Sequence, residues 1–319
     1  METKSDRDTD WHKDLVERLA NDALVERRRS RRWGIFFKLL TFAYLGTLLY
    51  LVLPTDWSDK AMKEKEHTAL VELEGVIAAD EKASADNVVT GLRDAFEDEG
   101  TKAVILRINS PGGSPVQSSD IYKEIVRLRE KYPDIPLYAV VSDMCASGGY
   151  YVASAADRIY VNESSVIGSI GVLMNGFGFV DSMQKLGIER RLLTAGAHKG
   201  ILDPFSPLSD FDLGHVDGLL SDLHETFIDA VKAGRGDRLK GDEDTLFSGL
   251  FWSGDAGIAL GLADALGNAS YVAREVVGVE EIVDFTHKDD PIERLASRLG
   301  AAAGSAMARV TGLTGIQLR

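Results

Sequence analysis

The chain of 319 residues has a single cysteine, Cys145, so no disulfide can form within it and a disulfide-stapled scaffold is excluded. It is also short of positive charge. Lysine and arginine number 36 against 50 aspartates and glutamates, and the net charge of −14 argues against nucleic acid as a partner, since phosphate recognition needs a basic footprint. The six histidines, His12, His67, His198, His215, His224 and His287, show no spacing that marks a Ser-His-Asp triad. Metal-ligand spacing is absent too: Asp242, Glu243 and Asp244 form a run without intervening ligands and read as a solvated loop. Nothing resembles a phosphate-cradling loop. The expected chemistry therefore uses neither metal nor cofactor.

What the chain does have is small residues where apolar runs end. Ser147 lies in Ala146-Ser147-Gly148-Gly149-Tyr150, just past the apolar run 137–141. Glycines at a strand-to-helix turn let a backbone approach a substrate carbonyl and leave amide hydrogens free to hold an oxyanion. Asn109-Ser110-Pro111-Gly112-Gly113-Ser114 repeats the pattern between the apolar stretch 103–108 and a helix expected over 116–130. The Gly113 amide, near the positive end of that helix, is a candidate oxyanion donor. In Val166-Ile167-Gly168-Ser169-Ile170-Gly171-Val172 an apolar strand is interrupted by small residues, and Ser169 is a candidate to orient a catalytic partner.

A serine hydroxyl needs a base, because it is a weak nucleophile until its proton is removed. Lys199, in Gly196-Ala197-His198-Lys199-Gly200, sits among small residues rather than on a charged helix face. Burial in an apolar pocket disfavours a charged lysine and allows it to act as a base. His198 is its rival. Cys145, two residues before Ser147, reads as a small packing residue, since unpaired cysteine is among the most buried residue types.

These four motifs, at 109–113, 146–151, 168–172 and 196–199, together resemble the membrane-anchored Ser/Lys peptidases of the S49 type, the signal peptide peptidase A family, over about residues 68–285. The resemblance implies an α/β fold of the ClpP/crotonase type, built of stacked ββα units. It implies Ser147 as nucleophile, Lys199 as general base, Ser169 as the hydroxyl holding the lysine and Gly113 as oxyanion donor, with the Ser114 amide as an alternative. It also implies a homo-oligomeric ring in which Ser and Lys meet across neighbouring subunits, acting on hydrophobic peptides such as signal peptide remnants. Two other readings stay open: a crotonase-like enzyme of acyl-CoA chemistry, and a catalytically silent membrane scaffold.

The one long apolar run, 33–53, follows Arg27, Arg28, Arg29, Arg31 and Arg32 and is about the length a bilayer requires. Lys38 near its basic end can snorkel, and the arginine cluster predicts a cytoplasmic tail over 1–32 with the rest of the chain beyond a bacterial inner membrane. The charged stretch 54–67 reads as a linker and 68–285 as the catalytic domain. Apolar residues at helical spacing predict an amphipathic helix in the tail 286–319, packing on a neighbouring subunit. Strands are expected at 69–73, 103–108, 137–141, 158–161 and 166–172, and a helix over 212–233 whose apolar stripe serves core or subunit interface. Ser253 is expected to cap a helix starting near Asp255.

Overall fold

Near-continuous apolar runs between polar turns become strands covered on both faces, which is the pattern parallel sheets require. In the computed structural model, which describes residues 27–29, 31–47 and 65–287, these are β1 (His67–Glu74), β2 (Thr101–Ser110) and β3 (Leu137–Ala146). They pair in parallel, with Leu70 beside Ile105 and Ile105 beside Tyr138. β4 (Arg158–Val161) pairs with the first half of β3 and β5 (Val166–Gly168) with its last residues, so β3 is the strand on which the sheet divides. β6 (Phe251–Ser253) runs antiparallel to β5, β7 (Ala265–Leu266) pairs with β4, and β8 (Ile282–Asp284) closes the far edge against β1. The result is a mixed α/β sheet of eight mostly parallel strands.

Alternating side chains divide the core between the two faces of the sheet. Val71, Leu73, Leu106 and Ile108 pack with Val88, Leu92 and Phe96 of α1 (Ala85–Glu97) and with Ile121, Ile125 and Leu128 of α2 (Pro115–Lys131). Leu70, Ile105, Val140 and Tyr160 pack instead against Ala269, Val272 and Ala273. Ser114 caps α2 by accepting from the Gln117 amide, and Pro115 at its first position has no amide to waste. Further helices of this unit are α3 (Gly148–Ala153), α4 (Val180–Lys185), α5 (Asp210–Arg235), α6 (Glu243–Leu246) and α7 (Gly254–Ala259). Ser209 and Asp212 form a reciprocal capping box on α5, and Ser253 caps α7 as its sequence predicts.

One expectation for the strands changes. β5 ends at Gly168 rather than at residue 172, because positive φ at Gly168 (+105°) and Ser169 (+54°) turns the chain out of the sheet. The apolar stripe of α5 is buried only in its second half, at Phe227, Ala230 and Val231, while Leu213 and Leu219 lie exposed.

The chain divides into two units, Met1–Asp56 with Asp289–Arg319, and Trp57–Lys288. In the first, residues 31–47 form a helix whose large apolar side chains, including Phe36, Leu39 and Phe42, are exposed. Among the described residues no helix is long and apolar enough to cross a membrane. The end of the expected 33–53 span, most of the 54–67 linker and the expected tail helix lie outside the described residues.

Candidate active site

Ser147 stands between the end of β3 and the start of α3 at φ +52°, ψ −122°, a conformation a residue with a Cβ adopts at a cost of about 1–3 kcal/mol. Its surroundings hold it there. Its amide donates to the Gly168 carbonyl (2.8 Å) and its carbonyl accepts from the Tyr151 amide (2.9 Å). Three residues on, the buried Tyr150 hydroxyl donates to the Leu262 carbonyl (2.8 Å), and all six residues of α3 are buried. The Ser147 side chain caps nothing in α3, and among the described residues its hydroxyl makes no hydrogen bond. A strained turn that presents an unspent hydroxyl is the geometry of a nucleophile elbow.

The loop 109–114 supplies the opposite wall. Buried Ser110 donates to the Gly75 carbonyl (2.6 Å) and accepts from the Gly112 amide (3.1 Å), which fixes the turn. Gly112 has φ +97°, and a Cβ there would lie 2.8 Å from the Ser147 Cβ and 2.7 Å from the Gly148 nitrogen. A Cβ on Gly113 would fall 2.1 Å from the Ile77 carbonyl oxygen. Both positions therefore require glycine.

The amides of this loop divide into spent and unspent. The Ser114 amide donates to the Ile77 carbonyl (2.8 Å), so the alternative oxyanion donor expected there is corrected: its hydrogen is already used. Among the described residues no acceptor takes the Gly113 amide hydrogen. Gly148 follows the same logic at the first position of α3, where a helix leaves its amides without partners, and a Cβ built on it would lie 3.2 Å from the Gly113 nitrogen. The sequence reading did not single out the Gly148 amide, although its place directly after the serine at a helix start was the available signal.

Gly113, Ser147, Gly148 and Ser169 line one cavity of about 890 Å³, with Val116, Tyr151, Leu173, Leu223 and Phe227 among its apolar walls. Ser169, at φ +54°, is fixed by the hydrogen bond its amide donates to the Leu250 carbonyl (2.7 Å). Lys199 is not brought into this cavity. It lies exposed in a turn closed by its own amide on the Gly196 carbonyl (3.2 Å). His198 is also elsewhere, stacked on Phe211 with ring centroids 4.0 Å apart. The histidine that does reach the cavity is His224 on α5, whose Nε2 lies 3.1 Å from the Ile170 carbonyl. Cys145 is fully buried opposite Ser110 and Ile167, and burial pushes its thiol up, away from the reactive thiolate.

Residues 129–280 match the model of peptidase family S49. A protein of Synechocystis sp. named as a candidate protease is 30% identical over 267 residues, which cover 81% of this chain and 92% of that protein. The chain belongs to peptidase family S49. Protease 4 of Haemophilus influenzae is 31% identical over 210 residues, covering 63% of this chain and 32% of the relative. A Brucella abortus protein named as the Na(+)/H(+) antiporter NhaA is 45% identical over 187 residues, 59% of this chain. The match takes up only 25% of the Brucella protein's own length. The matched S49 segment contains Ser147, Ser169 and Lys199, while Gly113 lies ahead of it.

Beneath the elbow of this S49 chain lies a buried ionic clamp that sequence reasoning did not find. Arg235, at the end of α5, donates from Nε and Nη2 to the Gly261 carbonyl (2.9 and 2.7 Å) and from Nη1 to Asp264 (2.7 Å). Burial pushes the Asp264 carboxyl up, but the Arg235 hydrogen bond, the Ile159 amide and the charges of Arg235 and Arg238 outweigh it, so the group is held below its ordinary value. The clamp fixes segment 261–264, whose Leu262 carbonyl receives the Tyr150 hydroxyl. Arginine at a helix end usually reads as solvated, so nothing local in the sequence marks it.

Proposed function

We propose that this chain is a membrane-tethered serine endopeptidase that cleaves hydrophobic peptides, such as released signal peptides, through an acyl-enzyme on Ser147. The observation that carries the reading is the strained Ser147 turn, whose unspent hydroxyl opens on the cavity that the unspent Gly113 amide also lines. In the proposed reaction the Ser147 oxygen attacks the scissile carbonyl and its proton passes to the Lys199 nitrogen. The Gly113 and Gly148 amides hold the oxyanion, the lysine returns the proton to the leaving amine, and water then hydrolyses the ester. Ser169 holds the lysine in line. The apolar walls at Val116, Tyr151 and Phe227 suit apolar substrate side chains.

Lys199 reaches a serine by assembly in this reading. It is exposed and outside its own chain's cavity, and the segment around it exposes Leu173, Phe177, Leu186 and Leu193. An apolar surface of that kind supports packing against neighbouring copies. A homo-oligomeric ring of ClpP/crotonase-like subunits, each lending Lys199 to the next Ser147, is the assembly we propose. The run 33–53 anchors it in a bacterial inner membrane, with the N-terminus cytoplasmic and the catalytic domain on the other face.

The test is fluorophosphonate labelling of the full-length chain in detergent, with the adduct located by peptide mapping. An adduct on Ser147, absent from Ser147→Ala together with all peptidase activity, is the expected result. Full activity in Ser147→Ala would sink the assignment, and no adduct on an assembled sample would favour the scaffold reading.

A further inference from the structure

The cations of α2 are spent, with one exception. Arg127 pairs with Glu124, Arg129 with Asp157 and Lys131 with Glu97. Of the cations of α2, Lys123 has no ion-pair partner among the described residues, and it is the one that lines the cavity of Ser147. Val116, Ser119, Asp120 and Lys123 all line that cavity, so the cavity follows the first turns of α2 away from the Gly113 amide. Asp120, one turn earlier, is likewise exposed and has no ion-pair partner among the described residues, Lys123 included.

We propose that Lys123 is a specificity residue that binds a carboxylate of the peptide substrate. This rests on the peptidase reading above and adds to it what the far end of the cavity selects. An ammonium kept free on a largely apolar wall is the feature that would separate apolar peptides by where they carry negative charge, since the wall itself takes any of them. Lys123 lies nine residues beyond Ser114, about 14 Å along a helix rising 1.5 Å per residue. An extended peptide advances about 3.3 Å per residue, so the carboxylate lies about four residues from the cleaved bond. Two sources offer that chemistry: the free C-terminus of a short peptide, or an Asp or Glu side chain inside a longer one. Asp120 opposes both, which makes the pair a charge filter with opposite signs on its two members.

The test compares kcat/KM of the full-length chain in detergent on Ala/Leu peptides prepared as free acids, as C-terminal amides, and as amides carrying one Glu at each position in turn, with cleavage sites mapped by mass. The wild type is expected to prefer a carboxylate-bearing peptide by about tenfold, the size of one charge-assisted hydrogen bond. Lys123→Gln should erase that preference while Ser147 still takes the fluorophosphonate, and Asp120→Asn should enlarge it. A preference for the free acid alone assigns the α-carboxylate, and a preference for the Glu peptides alone assigns the side chain. Equal rates on all peptides with labelling intact, or a preference that survives Lys123→Gln, overturns this proposal and leaves the peptidase reading standing. Loss of labelling in Lys123→Gln would make Lys123 the base and overturn both this proposal and the role of Lys199. No labelling and no cleavage by the wild type overturns the peptidase reading and this proposal with it.

Discussion

The Ser147 turn and the Lys199 turn of this chain are built by opposite means. Around Ser147 the chain is held from several sides: Ser110, Gly112, Tyr150 and Leu262 are joined by hydrogen bonds or close backbone approach, and α3 is wholly buried. Around Lys199 the chain between β5 and α5 buries little, with Leu193 at 95% exposure and Phe177 at 82%. A site that holds a strained residue must be over-determined by what surrounds it, and the first region is. The second carries apolar surface that its own fold does not cover. The comparison teaches that this fold, by itself, completes only the half of the proposed machinery that needs strain.

The sharpest way to break that comparison is to remove the lysine. Lys199→Ala should lower peptidase kcat at least about a thousandfold, as loss of the partner of an activated serine does. The stability of the isolated subunit should not change, because Lys199 is exposed. Mixing Lys199→Ala with Ser147→Ala subunits should restore part of the activity if the two turns meet between copies. Recovery of none, in mixtures shown to co-assemble, would place both groups of a working site in one chain.

The next largest effect belongs to the clamp beneath the elbow. Arg235→Met leaves the Asp264 carboxylate without its main partner and should cost about 3 kcal/mol, the usual toll of orphaning one half of a buried ion pair. The pH dependence has a definite sign. The folded-state pKa of Asp264 is depressed, so the stabilisation is fully present above the unfolded-state value, about 3.9, and is lost as pH falls through the lower folded value. Denaturant midpoints of the wild type should drop below about pH 4, with Arg235→Met showing a smaller drop. Equal acid sensitivity in both would remove Asp264 from the account.

Much of this was readable in the residues, and the remainder has a physical reason for being hidden. Strand-then-glycine motifs singled out Ser147, Gly113 and Ser169, which the fold brings to one cavity, because turns that demand Gly or a positive φ restrict composition locally. The bounds of α2 and α5 also came within about two residues, as capping serines and periodicity allow. Three things were not legible. That the Ser114 amide is spent depends on Ile77, more than thirty residues away in the chain. The Arg235 clamp depends on the Gly261 backbone carbonyl and the Asp264 carboxylate, 26 and 29 residues along the chain and joined to the arginine only by the fold. The early end of β5 follows from a backbone conformation at Ser169 that serine as a residue type does not announce.

The smallest expected effect is also the one that tests the second region directly. Leu193 contributes almost no burial to its own chain, so Leu193→Ser should leave unfolding free energy within about 0.5 kcal/mol, as surface changes do. If the apolar surface between β5 and α5 is covered by neighbouring copies, the same substitution should weaken assembly, which sedimentation or mass photometry would register as smaller particles at equal concentration. Peptidase activity should fall in parallel with assembly, while labelling of Ser147 falls only as far as it depends on Lys199 from a neighbour. An oligomer unchanged by Leu193→Ser and by Phe177→Ser together would mean that the exposed apolar surface serves something other than self-association, and the contrast between the two turns would then describe one chain rather than an interface.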